Sequence, residues 1–139
     1  MAALYGKKNF AFVPETFILP QEATNLSDRM DQEGKQLWIV KPAGSSQGRG
    51  IFITSRMSEI PTKTQMVACK YIDNPLLING LKFDLRIYVA ITSINPLRIY
   101  IYEEGLARFA TQPYESAYTQ NTSNRFVHLT NYSINKHST

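Results

Sequence analysis

The run Leu81-Lys-Phe-Asp-Leu-Arg-Ile-Tyr-Val89 constrains this chain more than any other stretch. Side chains of a β-strand alternate between its faces, and same-face neighbours stand roughly 6.5–7 Å apart. Lys82, Asp84, Arg86 and Tyr88 therefore share one face. Phe83, Leu85, Ile87 and Val89 take the other, which is expected to fix the strand to a core. Three charges in line on an apolar strand make a polar ruler able to hold ribose, phosphate or metal. A solvated outer face with two weak ion pairs, each worth at most ~1 kcal/mol, fits the same pattern.

The flanking segments extend the strand-rich reading. Alternation continues from 81 to 94, where Asn95-Pro96 turns the chain, and residues 97–102 are expected to pair back. The Glu103-Glu-Gly105 turn leads into residues 106–110. Upstream, residues 10–20 are apolar but broken by Pro14 and Pro20, as extended chain packed on a core would be. Residues 21–34 suit a helix that Gly34 could stop. Leu37-Trp-Ile-Val40 is wholly apolar, as in a strand buried on both faces. A Gly/Ser-rich loop separates it from Ile51-Phe-Ile53, giving a β-hairpin with an oversized tip. Residues 65–72 read as a further strand, 113–124 as a surface loop, and 125–134 as a return to strand alternation. The expected class is α+β with mostly antiparallel sheets.

Composition narrows the chemistry. A single cysteine, Cys69, excludes an intrachain disulfide, and with two His there is no zinc spacing. No stretch approaches the ~18 apolar residues of a membrane helix. The net charge of +4 mildly favours acidic partners such as phosphates, nucleic acid or a glutamate-rich peptide. Tyr88 beside Lys82 and Arg86 would suit an RNA-binding sheet, but no RNP-like signature accompanies it. Asp84 is the sole plausible acid among the motifs, so a paired-carboxylate hydrolase is not supported.

Three further constellations carry possible chemistry. In Lys41-Pro-Ala-Gly-Ser-Ser-Gln-Gly-Arg-Gly50 a lysine directly follows a buried strand, and a glycine-rich loop follows the lysine. Backbone N–H groups of such a loop can approach phosphate oxygens closely. No Gly-Lys-Ser/Thr closes it, so it is a phosphate lid or an ordinary flexible hairpin, not a P-loop. Arg108 offers a fork suited to carboxylate or phosphate, although a surface role fits it too. In His128-Leu-Thr-Asn-Tyr-Ser133, small hydrogen-bonding side chains interrupt an apolar segment. They suit metal-bound water, a phosphate oxygen or a satisfied buried polar cluster.

Taken in order, Trp38-Ile-Val-Lys-Pro42, Ser46-Gln-Gly-Arg-Gly-Ile51, Lys82-Phe-Asp-Leu-Arg-Ile-Tyr-Val89, Tyr102-Glu-Glu-Gly-Leu-Ala-Arg-Phe-Ala110 and His128-Leu-Thr-Asn-Tyr-Ser133 resemble the tubulin-tyrosine-ligase-like family. Phe12-Val-Pro-Glu-Thr-Phe-Ile-Leu-Pro20 fits as well, so the likeness covers residues 10–137. Tyr102 to Ala110 and Thr130 to Lys136 resemble its polyglutamylase branch.

The resemblance implies an ATP-grasp fold, here the incomplete central part of a catalytic domain. Residues 10–64 would carry the phosphate lid, and 65–139 would begin the C-terminal subdomain. It implies ATP and Mg²⁺ as cofactors, and free L-glutamate and tubulin C-terminal tails as partners, with no nucleic acid or membrane. Lys41 and Arg86 would act on the phosphates. Gln47, Gly48, Cys69, Lys70, Tyr71, Ile72, Lys82, Phe83, Asp84, Thr130 and Asn131 would complete the ATP site. Arg108, Tyr132 and Ser133 would hold glutamate, and Gln47 would also face the protein substrate. Cys69 stands where the family usually has Gln, a position of mostly main-chain contacts. The family's magnesium ligands lie further on, so the chain by itself is expected to be an inactive fragment with no metal ligand. A cytoplasmic, microtubule-associated location would follow. A non-catalytic nucleotide-binding module and a ligase adding glycine or tyrosine remain as alternatives.

Overall fold

A computed structural model describes residues 2–45, 48–115, 122 and 124–136. The chain is mixed α/β, and every strand pairing among the described residues is antiparallel. It divides into two compact units, Met1–Asn74 with Ser116–Ser123, and Pro75–Glu115 with Asn124–Thr139.

In the first unit, α1 (Ala2–Tyr5) and a 3-10 turn (Lys7–Phe10) precede β1 (Thr16–Leu19), α2 (Ala23–Glu33), β2 (Trp38–Pro42), β3 (Phe52–Thr54) and β4 (Met66–Lys70). The four strands form one sheet in the order β1-β4-β2-β3. Trp38 and Val40 point from β2 into a core with Leu19, Leu26, Met30, Ile60, Met66 and Ala68. Ile39 packs against a second cluster of Leu37, Ile53 and Tyr71. Apolar neighbours on both faces account for the unbroken run from Leu37 to Val40.

On α2, Leu26 and Met30 lie one turn apart and supply its buried stripe. Gly34, at φ +60°, ends the helix while its N–H donates to the Met30 carbonyl at 2.9 Å. Of residues 10–20, only Thr16–Leu19 pairs as a strand, and Phe12 and Val13 are exposed rather than packed on a core. Pro14 and Pro20 flank that strand and have no N–H to extend its ladder. β4 falls beyond the expected division at residues 64 and 65, yet it is bonded between β1 and β2.

In the second unit, β5 (Leu77–Ile78), β6 (Leu81–Arg86) and β9 (Leu106–Phe109) form a sheet in the order β5-β6-β9. β7 (Val89–Ile94) and β8 (Leu97–Ile101) form a separate ribbon. Two elements depart from the sequence expectation. The continuous run over 81–94 is divided, because β6 bonds to β9 while β7 bonds to β8. Its apolar face does not meet a core: Leu85, Ile87 and Val89 are 61%, 58% and 54% exposed. Alternation tells which residues share a face, not whether that face is covered.

The second departure is the segment 125–134, which forms α3 (Arg125–His128) and α4 (Tyr132–Asn135) instead of a strand. The Asn124 side chain accepts from the Phe126 N–H at 3.1 Å, and the Asn131 carbonyl accepts from Ile134 and Asn135. Such local bonds give the backbone an alternative to the ladder. Most of the expected loop over 113–124 lies outside the described residues.

Candidate active site

Two side-chain groups emerge, one in each unit. In the first, Lys41 is the penultimate residue of β2, which hands the chain to the glycine-rich loop after Pro42. Lys41, Gly44, Ser45, Gly48, Arg49 and Cys69 line an open cleft of about 340 Å³. Gly50 has φ +69°, and a Cβ there would stand 2.8 Å from Pro42 Cγ, so the return to β3 needs glycine. The Ser45 hydroxyl donates to the Arg49 carbonyl at 3.3 Å across this turn. Two cations lining a cleft edged by loop backbone fit a polyphosphate. Gln47 lies outside the described residues.

The segment 69–72 borders the cleft through Cys69, whose sulfur accepts a hydrogen bond from the Thr16 hydroxyl at 3.4 Å. Lys70 is turned to α2, where its ammonium pairs with Glu33 at 2.9 Å. Tyr71 is buried, with its N–H bonded to the Leu37 carbonyl, and Ile72 is exposed.

In the second unit, β6 and β9 place Asp84 opposite Arg108. Arg108 Nε donates to Asp84 Oδ1 and Oδ2 at 3.0 and 3.1 Å, and Nη2 donates to Oδ2 at 2.6 Å. Thr130 Oγ1 donates to Oδ1 at 2.5 Å. Burial pushes the Asp84 carboxyl up, but hydrogen bonds from Arg108 and Thr130, with the charges of Arg108 and Arg86, hold it below the usual range. The Lys82 ammonium lies 5.8 Å from the centre of the Tyr114 ring, which meets His128 edge-on at 5.9 Å. Phe83 stacks near Phe109 at 5.8 Å. Among the described residues no three His, Cys, Asp or Glu side chains gather as a metal site, so they do not by themselves fit a magnesium cage.

Residues 2–139 match the sequence model of the Tubulin-tyrosine ligase family. The chain belongs to this family. It is 46% identical over 139 residues to mouse "Tubulin monoglutamylase TTLL4", matching all of this chain and 12% of that protein. It is 46% identical over 138 residues to human "Tubulin polyglutamylase TTLL5", covering 99% of this chain and 11% of the relative. Against human "Tubulin polyglutamylase TTLL13" it is 50% identical over 138 residues, with 99% and 17% covered. The chain thus spans from about a tenth to a sixth of these relatives.

Of the residues that the family resemblance singled out, Lys41, Gly48 and Cys69 share the first unit's cleft. Asp84, Arg108 and Thr130 are joined by hydrogen bonds in the second unit. Arg86 and Tyr132 are exposed there, Ser133 lies on α4, and the Asn131 carbonyl caps that helix. Arg49 was not singled out, although it stands in the glycine-rich motif itself. Its signal was a cation flanked by two glycines, Gly48 and Gly50. The Asp84–Arg108 contact was hidden because strand register cannot be read from β6 and β9 separately.

Proposed function

We propose that this chain is the nucleotide- and amino-acid-handling part of an ATP-dependent ligase that adds glutamate to glutamate side chains of tubulin C-terminal tails. The observation that carries the reading is near-half identity over the whole chain to proteins named tubulin monoglutamylase and polyglutamylase. The two side-chain groups support it chemically. In an ATP-grasp arrangement, Lys41 and Arg49 at the cleft would meet ATP phosphates, and Arg86 the phosphoryl group in transfer. Phosphoryl transfer depends on positioning and on cations that stabilise developing charge. The γ-phosphoryl group would pass to an acceptor carboxylate, giving an acyl phosphate and ADP. The amine of the incoming glutamate would then displace phosphate and lose a proton, forming an isopeptide bond. Arg108 would hold that glutamate by its carboxylate. Magnesium, when bound, would offset phosphate charge. The place of action would be the microtubule surface.

A non-catalytic nucleotide-binding module is the second reading, favoured by the lack of a carboxylate cage among the described residues. Mass spectrometry of tubulin incubated with Mg-ATP and glutamate, glycine or tyrosine in turn separates the two. Both this chain and the full-length product of its gene would be assayed. The expected result is glutamate addition by the full-length product, and its loss on Lys41→Ala. Nucleotide binding with no amino acid added would select the module, and addition of glycine or tyrosine alone would change the substrate.

A further inference from the structure

β4 divides its side chains between two faces. Met66 and Ala68 sit in the core with Leu26 and Met30 of α2, while Val67 and Cys69 line the cleft. Alternation puts Lys70 on the α2 side, where its ammonium meets both Glu33 carboxylate oxygens at 3.0 and 2.9 Å. The Lys70 N–H donates to the Glu15 carbonyl at 2.8 Å. The Glu15 carboxylate in turn pairs with Arg29, and Arg29 pairs with Glu33, so the circuit closes. Lys70 is the last residue of the β4 ladder, yet the chain beyond it stays tied. The Tyr71 N–H donates to the Leu37 carbonyl at 2.8 Å. Gln36 Nε2 donates to the Tyr71 carbonyl at 3.2 Å and to the Leu37 carbonyl at 2.8 Å. Gln36 is itself anchored, its N–H reaching the Glu33 carbonyl at 3.4 Å.

We propose that Gln36 and Glu33 are positioning residues that hold the end of β4, residues 70–72, where it meets the base of the nucleotide. This rests on the nucleotide reading above, in which residues 69–72 belong to the ATP site, and it adds two residues that lie outside that site. A strand end past its last ladder pair frays readily. A ligand that has to order such a segment gives up part of its binding free energy. Here the ordering is done beforehand from the end of α2. Glu33 supplies its carbonyl to Gln36 and its carboxylate to Lys70, so both ties start at one residue. The cationic end of the cleft is separate. Lys41 stands opposite Val67, three residues or roughly 10 Å of strand from Lys70. The phosphates and the base would thus be held by different parts of one sheet, and loosening the brace acts on the base alone.

The test uses the full-length product of the gene in the presence of Mg²⁺. Two probes are titrated: an ATP analogue with its fluorophore on the ribose, and inorganic tripolyphosphate, which has no base. Gln36→Met keeps the length of the side chain and removes its N–H donors. It is expected to weaken analogue binding about fivefold, as loss of a hydrogen bond should, with tripolyphosphate held within about twofold. In ligation assays with tubulin and glutamate, the KM for ATP should rise by a similar factor while kcat is kept. Glu33→Gln should move analogue affinity the same way by about twofold, and high salt should shrink that difference by screening the original pair. Equal weakening of both probes would mean a general loosening of the first unit and would overturn the proposal. If Gln36→Met does not fold, Glu33→Gln decides, since unchanged analogue affinity at low salt there refutes the brace. If the unsubstituted protein binds neither probe, the nucleotide reading fails and the brace fails with it. Tight analogue binding that neither substitution alters sinks only the brace.

Discussion

At the scale of single residues, Asp84 ties stability to acidity. Burial raises its carboxyl, while Arg108, Thr130 and the Arg86 charge lower it further than burial raises it. A depressed folded-state pKa means that the carboxylate stabilises the fold at neutral pH, above its unfolded pKa. That stabilisation is lost as pH falls through the ordinary carboxylate range, about 4, to the lower folded value. The urea midpoint of the second unit should therefore decline on acidification below about pH 4. Asp84→Asn should flatten that decline at the expense of stability at pH 7. A midpoint with the same acid slope in both proteins would show that the Asp84 contacts are not maintained in solution. The residue types at this site were legible beforehand, since Lys82, Asp84 and Arg86 announce themselves on an alternating strand. The pairing was not, because it joins residues 24 positions apart and a third, Thr130, 46 positions from Asp84.

Among elements, the β6–β9 pair carries most of the proposed site. Its register depends on a close approach: a Cβ on Gly105 would lie 2.7 Å from the Arg86 carbonyl oxygen, too near for any side chain. Gly105→Ala should force the start of β9 away from the end of β6, costing about 1–3 kcal/mol as overpacking does. It should also raise the glutamate KM, because β9 carries Arg108. Chemical denaturation and kinetics on the same samples check both effects, and a stable variant with unaltered KM would detach the site from this register. Elements governed by local signals followed the sequence closely. α2 runs over Ala23–Glu33, within the expected 21–34, because its apolar stripe and Gly34 act locally. The β2–β3 hairpin likewise followed from two apolar runs around a glycine-rich tip. The segment 125–134 departs from the expected strand, and at α3 the Asn124 side chain caps the helix through the Phe126 N–H, a local bond that apolar spacing cannot reveal.

For the whole molecule, the two units differ in how they dispose of apolar surface. The first encloses one cluster around Trp38, which is fully buried and whose indole N–H has no hydrogen-bond partner among the described residues. In the second, Val89, Ile91, Ile99 and Ile101 are each more than half exposed. Strand alternation and the Val89–Ile101 and Ile91–Ile99 pairings put these four on one face of the β7–β8 ribbon. Contiguous apolar faces of this kind bind apolar partners or invite association. The chain should therefore enhance the fluorescence of an apolar dye while still folded. Trp38, the single tryptophan, reports the first unit independently through its buried emission. Replacing the cross-strand pair by Ile91→Lys with Ile99→Glu places opposite charges side by side, which a ribbon tolerates. Dye enhancement should fall severalfold, on the order of the apolar area removed, with Trp38 emission unchanged. If the dye signal persists, the ribbon face is covered in solution.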